Sequence, residues 1–228
     1  MAEALEGPLT PIQQRVLGAL AEKAATVPDT YPMTLRGLQT ACNQKNNREP
    51  VTEHTEGEIQ AALDELKARH LVRFVYASHG ARSTKFRHVL DERLGLDAGE
   101  LALVTALLLR GPQTLNELRT RTERAHAFDS NDEVAATLEG LAARTDPVVV
   151  HLPRQPGQKE TRWAHLLGDG PDERAVEHTS EAPVPVPVPA PAGLDARVAE
   201  LEERVAALEA LLTDPTDPAR TTEETSPT

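Results

Sequence analysis

Hydrophobic positions between residues 10 and 168 recur at steps of three and four, and a helix-capping residue precedes most of these runs. Thr10-Pro11 sets a hydroxyl cap before proline at the first helical position. Ile12, Val16, Ala19 and Leu20 then share one face, so the spacing predicts a helix over 11–25. Val27-Pro28-Asp29 and Tyr31-Pro32 break it. Thr34 caps a shorter helix with Leu35, Leu38 and Cys42 inward, and the polar run Asn43–Pro50 reads as a loop. Thr55 and Glu58 form a capping-box pattern ahead of Ile59, Leu63 and Leu66. Residues 71–76 and 84–89 are rich in β-formers and flank Ser78-His79-Gly80-Ala81-Arg82, which predicts a hairpin with an exposed basic tip.

The same order then returns. Asp97 caps a helix bearing Leu101, Val104 and Leu108, which Gly111-Pro112 stops; Thr114 caps a short helix with Leu115 and Leu118. Ser130 and Glu133 repeat the capping box before Val134, Leu138 and Leu141, and residues 148–152 and 161–167 flank Pro156-Gly157 as a second hairpin. Caps and core spacings that recur together argue for a divergent duplication.

Beyond residue 168 this pattern ends. Residues 169–181 are polar and acidic, and 182–192 alternate Pro with Val or Ala, a composition that favours a semi-rigid polyproline II spacer. Leu194, Val198, Leu201, Val205, Leu208 and Leu212 then follow at alternating steps of four and three. That is an a/d seam with Val at a and Leu at d, the combination that favours two parallel strands. Arg197 and Arg204 fall at g, with Glu202 and Glu209 at e, so each arginine meets a partner's glutamate in a parallel dimer. The seam is under three heptads, marginal for an isolated helix.

The expected architecture is mainly α with small β wings. It comprises a winged-helix (helix-turn-helix) domain over 9–92, a second over 95–168, an acidic and proline-rich linker over 169–193, a short coiled coil over 194–213, and a disordered tail over 214–228. In a winged helix the third helix is the element that can enter a DNA major groove. Three segments, Ala41-Cys42-Asn43-Gln44-Lys45-Asn46-Asn47-Arg48-Glu49-Pro50-Val51, Leu108-Leu109-Arg110-Gly111-Pro112-Gln113-Thr114 and Pro156-Gly157-Gln158-Lys159-Glu160, resemble those of the YceH family of uncharacterised bacterial proteins. The resemblance spans about residues 9–168 and implies a tandem winged-helix fold and a dimer. It assigns no functional residue.

Charge changes this picture. Lys plus Arg against Asp plus Glu number twelve to twelve in residues 1–93, eight to ten in 94–168, and four to fourteen in 169–228. The net charge of −12 is therefore largely a property of the C-terminal segment, and the body lacks the strongly basic footprint of a generic nucleic-acid binder. Double-stranded DNA as a partner rests on Lys45 and Arg48 before the third helix, on Gln60 and Lys67 within it, and on Arg73, Arg82, Lys85 and Arg87 in the first wing. Against it stand Glu56, Glu58, Asp64 and Glu65, where a base reader carries Arg, Lys, Asn or Gln. In the second unit Asp129, Asp132, Glu133 and Glu139 weigh further the same way. The loop 43–50 reads two ways: a clamp for a phosphate or peptide through Lys45 and Arg48, or a loop folded on its own asparagines.

No catalytic constellation, cofactor motif or metal-ligand spacing is present in the sequence, so the expectation is a non-enzyme without cofactor or metal. The single cysteine, Cys42, sits at helical spacing from Leu38 and reads as a core thiol; Phe86 and Trp163 read as wing residues packed on helices. The run Arg119, Arg121, Arg124 reads as cations at a helix C-terminal end. With no signal peptide and no bilayer-length apolar run, the expected location is the cytoplasm, away from membranes. Two functions compete: a dimeric, transcription-regulator-like DNA binder using the first wing, and a protein–protein adaptor. A ligand-binding sensor is a further possibility, for which no single residue speaks.

Overall fold

A computed structural model describes residues 5, 7–76, 83–154 and 156–169. The heptad positions Leu194, Val198, Leu201, Val205, Leu208 and Leu212, the proline-rich stretch and Arg82 lie outside the described residues. The body runs through helix α1 (Pro11–Thr26), a 3₁₀ turn (Pro28–Thr30), strand β1 (Met33–Thr34), helices α2 (Leu35–Cys42) and α3 (Glu56–Ala68), strands β2 (Val72–Val75) and β3 (Lys85–His88), and helix α4 (Leu90–Leu94). It continues with α5 (Ala98–Arg110), α6 (Leu115–Thr122), α7 (Asn131–Ala142), β4 (Val149–Leu152) and β5 (Arg162–His165). These helices and small antiparallel sheets fit a winged-helix-like architecture.

The capping residues act as the spacing suggests. The Thr10, Thr55, Asp97 and Thr114 side chains each accept from the backbone N–H three residues on, and Gln13, Glu58, Glu100 and Glu117 reach back to the cap. Each box satisfies two of the N–H groups that a helix start leaves without partners. Ser130 closes half of its box: its Oγ accepts from Glu133 N–H, but the Glu133 carboxylate accepts from the Asp129 N–H. This corrects the expected box, and the cause is a backbone that lets the carboxylate reach one residue further.

Two elements are additions to the sequence reading. Met33–Thr34 pairs antiparallel with β3, making a three-stranded sheet in the order β1-β3-β2 with Met33 opposite Phe86. The second half has β4 paired with β5 and a single bridge, Gln113 to Trp163, in place of a third strand. Met33 and Gln113 thus meet the aromatic residue of the second wing strand in each half. Phe86 and Trp163 are both buried, as their wing positions suggest. The other addition is α4, ended by Gly95 at φ 59°, a left-handed conformation that glycine adopts without strain.

One continuous core joins the two halves. It includes Val16, Leu17 and Leu20 of α1, Leu38 and Cys42 of α2, Ile59, Leu63 and Leu66 of α3, and Leu103 and Leu107 of α5. Fully burying each leucine contributes about 1.5–3 kcal/mol. The seam runs along α1 and α5. At Gly18 a Cβ would stand 2.8 Å from Leu109 Cγ, so glycine is what lets these two helices approach. Among the described residues, no helix is long and apolar enough to cross a membrane.

Candidate functional site

The loop after α2 is organised by Arg48, which is 2% exposed. Its Nε donates to Ala41 O at 3.0 Å, and its two terminal nitrogens donate to Glu22 Oε1 and Oε2 at 3.2 and 2.7 Å, Asn47 O at 2.7 Å and Gln44 Oε1 at 3.3 Å. All five N–H donors of the guanidinium are thereby engaged. Burial alone would raise the Glu22 carboxyl; hydrogen bonds and charge from Arg48, with Lys23, outweigh it and hold it below the ordinary glutamate value. Arg48 is therefore corrected from a donor facing phosphate to the internal anchor of its loop. Asn43 ties the loop to the start of α3, accepting from His54 N–H at 2.8 Å and donating to His54 O at 2.8 Å. Asn47 takes a left-handed backbone at φ 59°, so the loop is folded on its own side chains.

The remaining residues considered for nucleic acid are dispersed. Lys45 is exposed on the loop, without an ion pair or hydrogen bond among the described residues. Gln60 donates to Asp64 Oδ1 at 3.1 Å on α3. Lys67 stands 4.3 Å from the Phe74 ring centroid and donates to the Tyr76 hydroxyl at 3.4 Å. Arg73 and Arg87 lie opposite each other on β2 and β3, and both pair with Glu92 of α4, Arg73 at 2.8 Å. Lys85 is exposed. The exposed surface of α3 carries Glu56, Glu58, Asp64 and Glu65, and that of α7 carries Asp132, Glu133 and Glu139. Among the described residues no continuous basic face therefore joins α3 to the wing; Tyr76, 67% exposed, lies beside Lys67, whereas Val75 is opposite Lys85 on the other face of the strand.

Other polar groups have settled roles. Burial pushes the Cys42 thiol up to about 12, which leaves no thiolate near neutral pH. The Tyr31 hydroxyl accepts from His88 N–H at 2.8 Å, and burial raises it above its ordinary value. Arg121 turns toward Gln113 Oε1 and Glu117 instead of the end of α6. Among the described residues no group of three or more His, Cys, Asp or Glu could hold a metal ion.

A second feature was not legible in the sequence. A cleft of about 520 Å³ opens where α1 and α5 meet the 43–50 loop and the end of α6. Its floor is alanine: Ala21 and Ala25 on α1, and Ala98, Ala102 and Ala106 at four-residue steps along α5. Lys45, Arg110 and Arg124 stand among its lining residues, and the motif asparagines 46 and 47 form part of its wall.

The motif residues that build this loop and cleft lie within a longer match. Residues 9–158 fit the family model described as "Protein of unknown function, DUF480". The chain belongs to this family. It is 49% identical to a UPF0502 protein of Geobacter sulfurreducens, over 88% of this chain and 90% of that one. It is 45% identical to the UPF0502 protein YceH of Salmonella newport, over 88% and 95%, and 46% identical to a UPF0502 protein of Klebsiella pneumoniae, over 90% and 96%. The resemblance to YceH thus extends over most of the chain, and the family carries no established biochemical role.

Proposed function

We propose that this chain is a non-enzymatic tandem winged-helix protein that works by engaging a protein partner, with α3 and the first wing as the engaging face. The observation that carries this reading is the acidity of α3. In a DNA-reading winged helix that surface approaches phosphates, and Glu56, Glu58 and Asp64 would meet them with like charge. The same surface is complementary to a basic segment, and the exposed Tyr76 beside Lys67 adds the apolar contact that a protein interface uses. The partner's chemistry is therefore a Lys/Arg-rich segment with an apolar anchor. The heptad residues 194–212 pair two copies in this reading, and the 88% of the chain matched by the Geobacter relative enters that segment wherever the match begins.

Duplex DNA is the second reading, favoured by Lys67 beside the exposed Tyr76 and by the exposed Lys85 on the other face of the wing. One experiment separates the two: anisotropy titration of the full chain against labelled random duplex and against labelled Lys/Arg-rich peptides, at low and at physiological salt. The expected result is saturable peptide binding that Glu56→Lys plus Asp64→Lys removes, with no duplex binding. Salt-sensitive duplex binding that Lys67→Ala plus Lys85→Ala weakens would replace the protein reading with the DNA one.

A further inference from the structure

We infer that the alanine-floored cleft between α1, α5 and the 43–50 loop is a binding site for a small organic anion, a carboxylate or phosphate on a flat apolar body. Its size falls in the range that small-molecule sites occupy. Its shape has a cause in the chain. Gly18 brings α1 and α5 together at Leu109, and one and two turns further along α1 the methyl groups of Ala21 and Ala25 line the space beside Glu22, Lys23 and Thr26. On α5 alanines at four-residue steps line the opposite wall, with Leu101 and Leu109 adding apolar surface beside them.

Three observations give the ligand its sign. Five cations line the cleft against one carboxylate, Glu22, which is already engaged by Arg48 and Lys23. Lys45 and Arg124 have no ion-pair partner among the described residues, and the only polar bond of Arg110 there goes to Asn47 Oδ1 at 3.0 Å. Burial first, then the neighbouring Arg110 charge, push Arg121 below the ordinary arginine value even though Glu117 stands 3.6 Å away.

The fourth observation is independent of charge. Thr105 lines the cleft from the middle of α5, is 6% exposed, and its Oγ1 is buried without a hydrogen-bond partner. Helical threonines usually return this hydroxyl to the carbonyl four residues back, as Thr122 does to Leu118 O at 2.9 Å. A buried hydroxyl without a partner costs about 1–3 kcal/mol, and an occupant with an acceptor oxygen would relieve it. The site thus offers a floor for the ligand's body, guanidinium and ammonium donors for its charge, and one buried hydroxyl for orientation. It does not depend on which macromolecule α3 engages.

The test uses the full chain with benzoate, phenyl phosphate and the neutral benzyl alcohol as probes, followed by calorimetry and by methyl NMR of labelled alanines. One or both anions should bind and shift the Ala21, Ala102 and Ala106 methyls, with benzyl alcohol weaker by about tenfold or more. The carboxylate and phosphate arms then say which headgroup the site prefers. Lys45→Ala plus Arg124→Ala, both at exposed positions, should weaken the anion by about tenfold or more and leave benzyl alcohol unchanged. Thr105→Val keeps the shape and should weaken binding without moving the thermal midpoint of the free protein downward. Absence of anion binding at millimolar concentration, or equal binding by the Lys45/Arg124 double variant, overturns the inference.

Discussion

Replacing Arg48 by methionine tests whether the motif loop is held from inside. The substitution keeps an apolar stem and removes a guanidinium whose side chain is 0% exposed and which bonds the Glu22 carboxylate, two backbone carbonyls and Gln44. Removing one partner of a buried pair costs about 3–5 kcal/mol, because the other charge stays behind in a poor solvent. Lys23, 3.1 Å from Glu22, still accompanies that carboxylate, so the lower end applies and about 3 kcal/mol is the expected loss. Against a total stability of about 5–15 kcal/mol this is severe without being fatal. In urea, with a slope of about 2 kcal/mol/M, the midpoint should fall by roughly 1.5 M. Glu22→Leu on the Arg48→Met background should recover part of the loss, since an apolar pair replaces an orphaned carboxylate. The assay is equilibrium urea unfolding by circular dichroism for wild type, both single variants and the double variant, read as a coupling energy. A loss below about 1 kcal/mol for Arg48→Met would show that the side chain is free in solution and would refute the internal role.

Three further outcomes follow from other parts of the fold. Gly18→Ala should cost about 1–3 kcal/mol through overpacking against Leu109, partly offset by helix propensity, whereas Gly140→Ala on α7, with open space at the Cβ, should gain up to about 1 kcal/mol; thermal unfolding of both variants checks the contrast. His165 is held neutral down to about 4 by burial, so the unfolded chain binds its proton first: stability is full above the ordinary value near 6.5 and falls as pH drops toward 4. A chain with His165→Leu should lack about 1–2 kcal/mol of the wild-type loss between pH 7 and 5 in urea titrations, and identical pH profiles would contradict the assignment. Leu201→Glu plus Leu208→Glu should convert a dimer to a monomer in light scattering; if the mass stays dimeric, the contact lies in the winged helices.

Helix positions were readable because each depends on neighbours in the chain. Thr55 with Glu58, and Asp97 with Glu100, are local bonds, and their spacing carries them. The sequence leaves Arg48 open between two roles because its partner Glu22 is distant in the chain: a cation in a polar loop reads the same whether it points out or in. Arg73 and Arg87 are another case, since the glutamate between them sits on α4, a five-residue helix too short to leave a periodic signal. Strand β1, two residues long, and its one-bridge equivalent at Gln113 leave no alternation to detect. The cleft was hidden for a different reason: alanine is at home in core and surface alike, so a row of them predicts a helix and says nothing about a missing volume.

The chain's route through the body closes on itself. Leu9 N–H donates to Leu167 O at 2.7 Å, Gln14 Nε2 donates to Leu9 O at 2.8 Å, and at Gly168 a Cβ would collide with the Gln14 amide at 2.3 Å. The two ends of the folded part are thus already spliced by hydrogen bonds. A circular permutant that begins at residue 83, passes from 168 through a short glycine bridge into residue 9, and finishes at residue 76 keeps every strand pairing, gives up the packing of Leu5 and the Arg69 bonds to Gly7 and Pro8, and opens the chain between β2 and β3. In such a molecule the second half of the protein is made first, and the order of synthesis becomes a variable separable from the architecture.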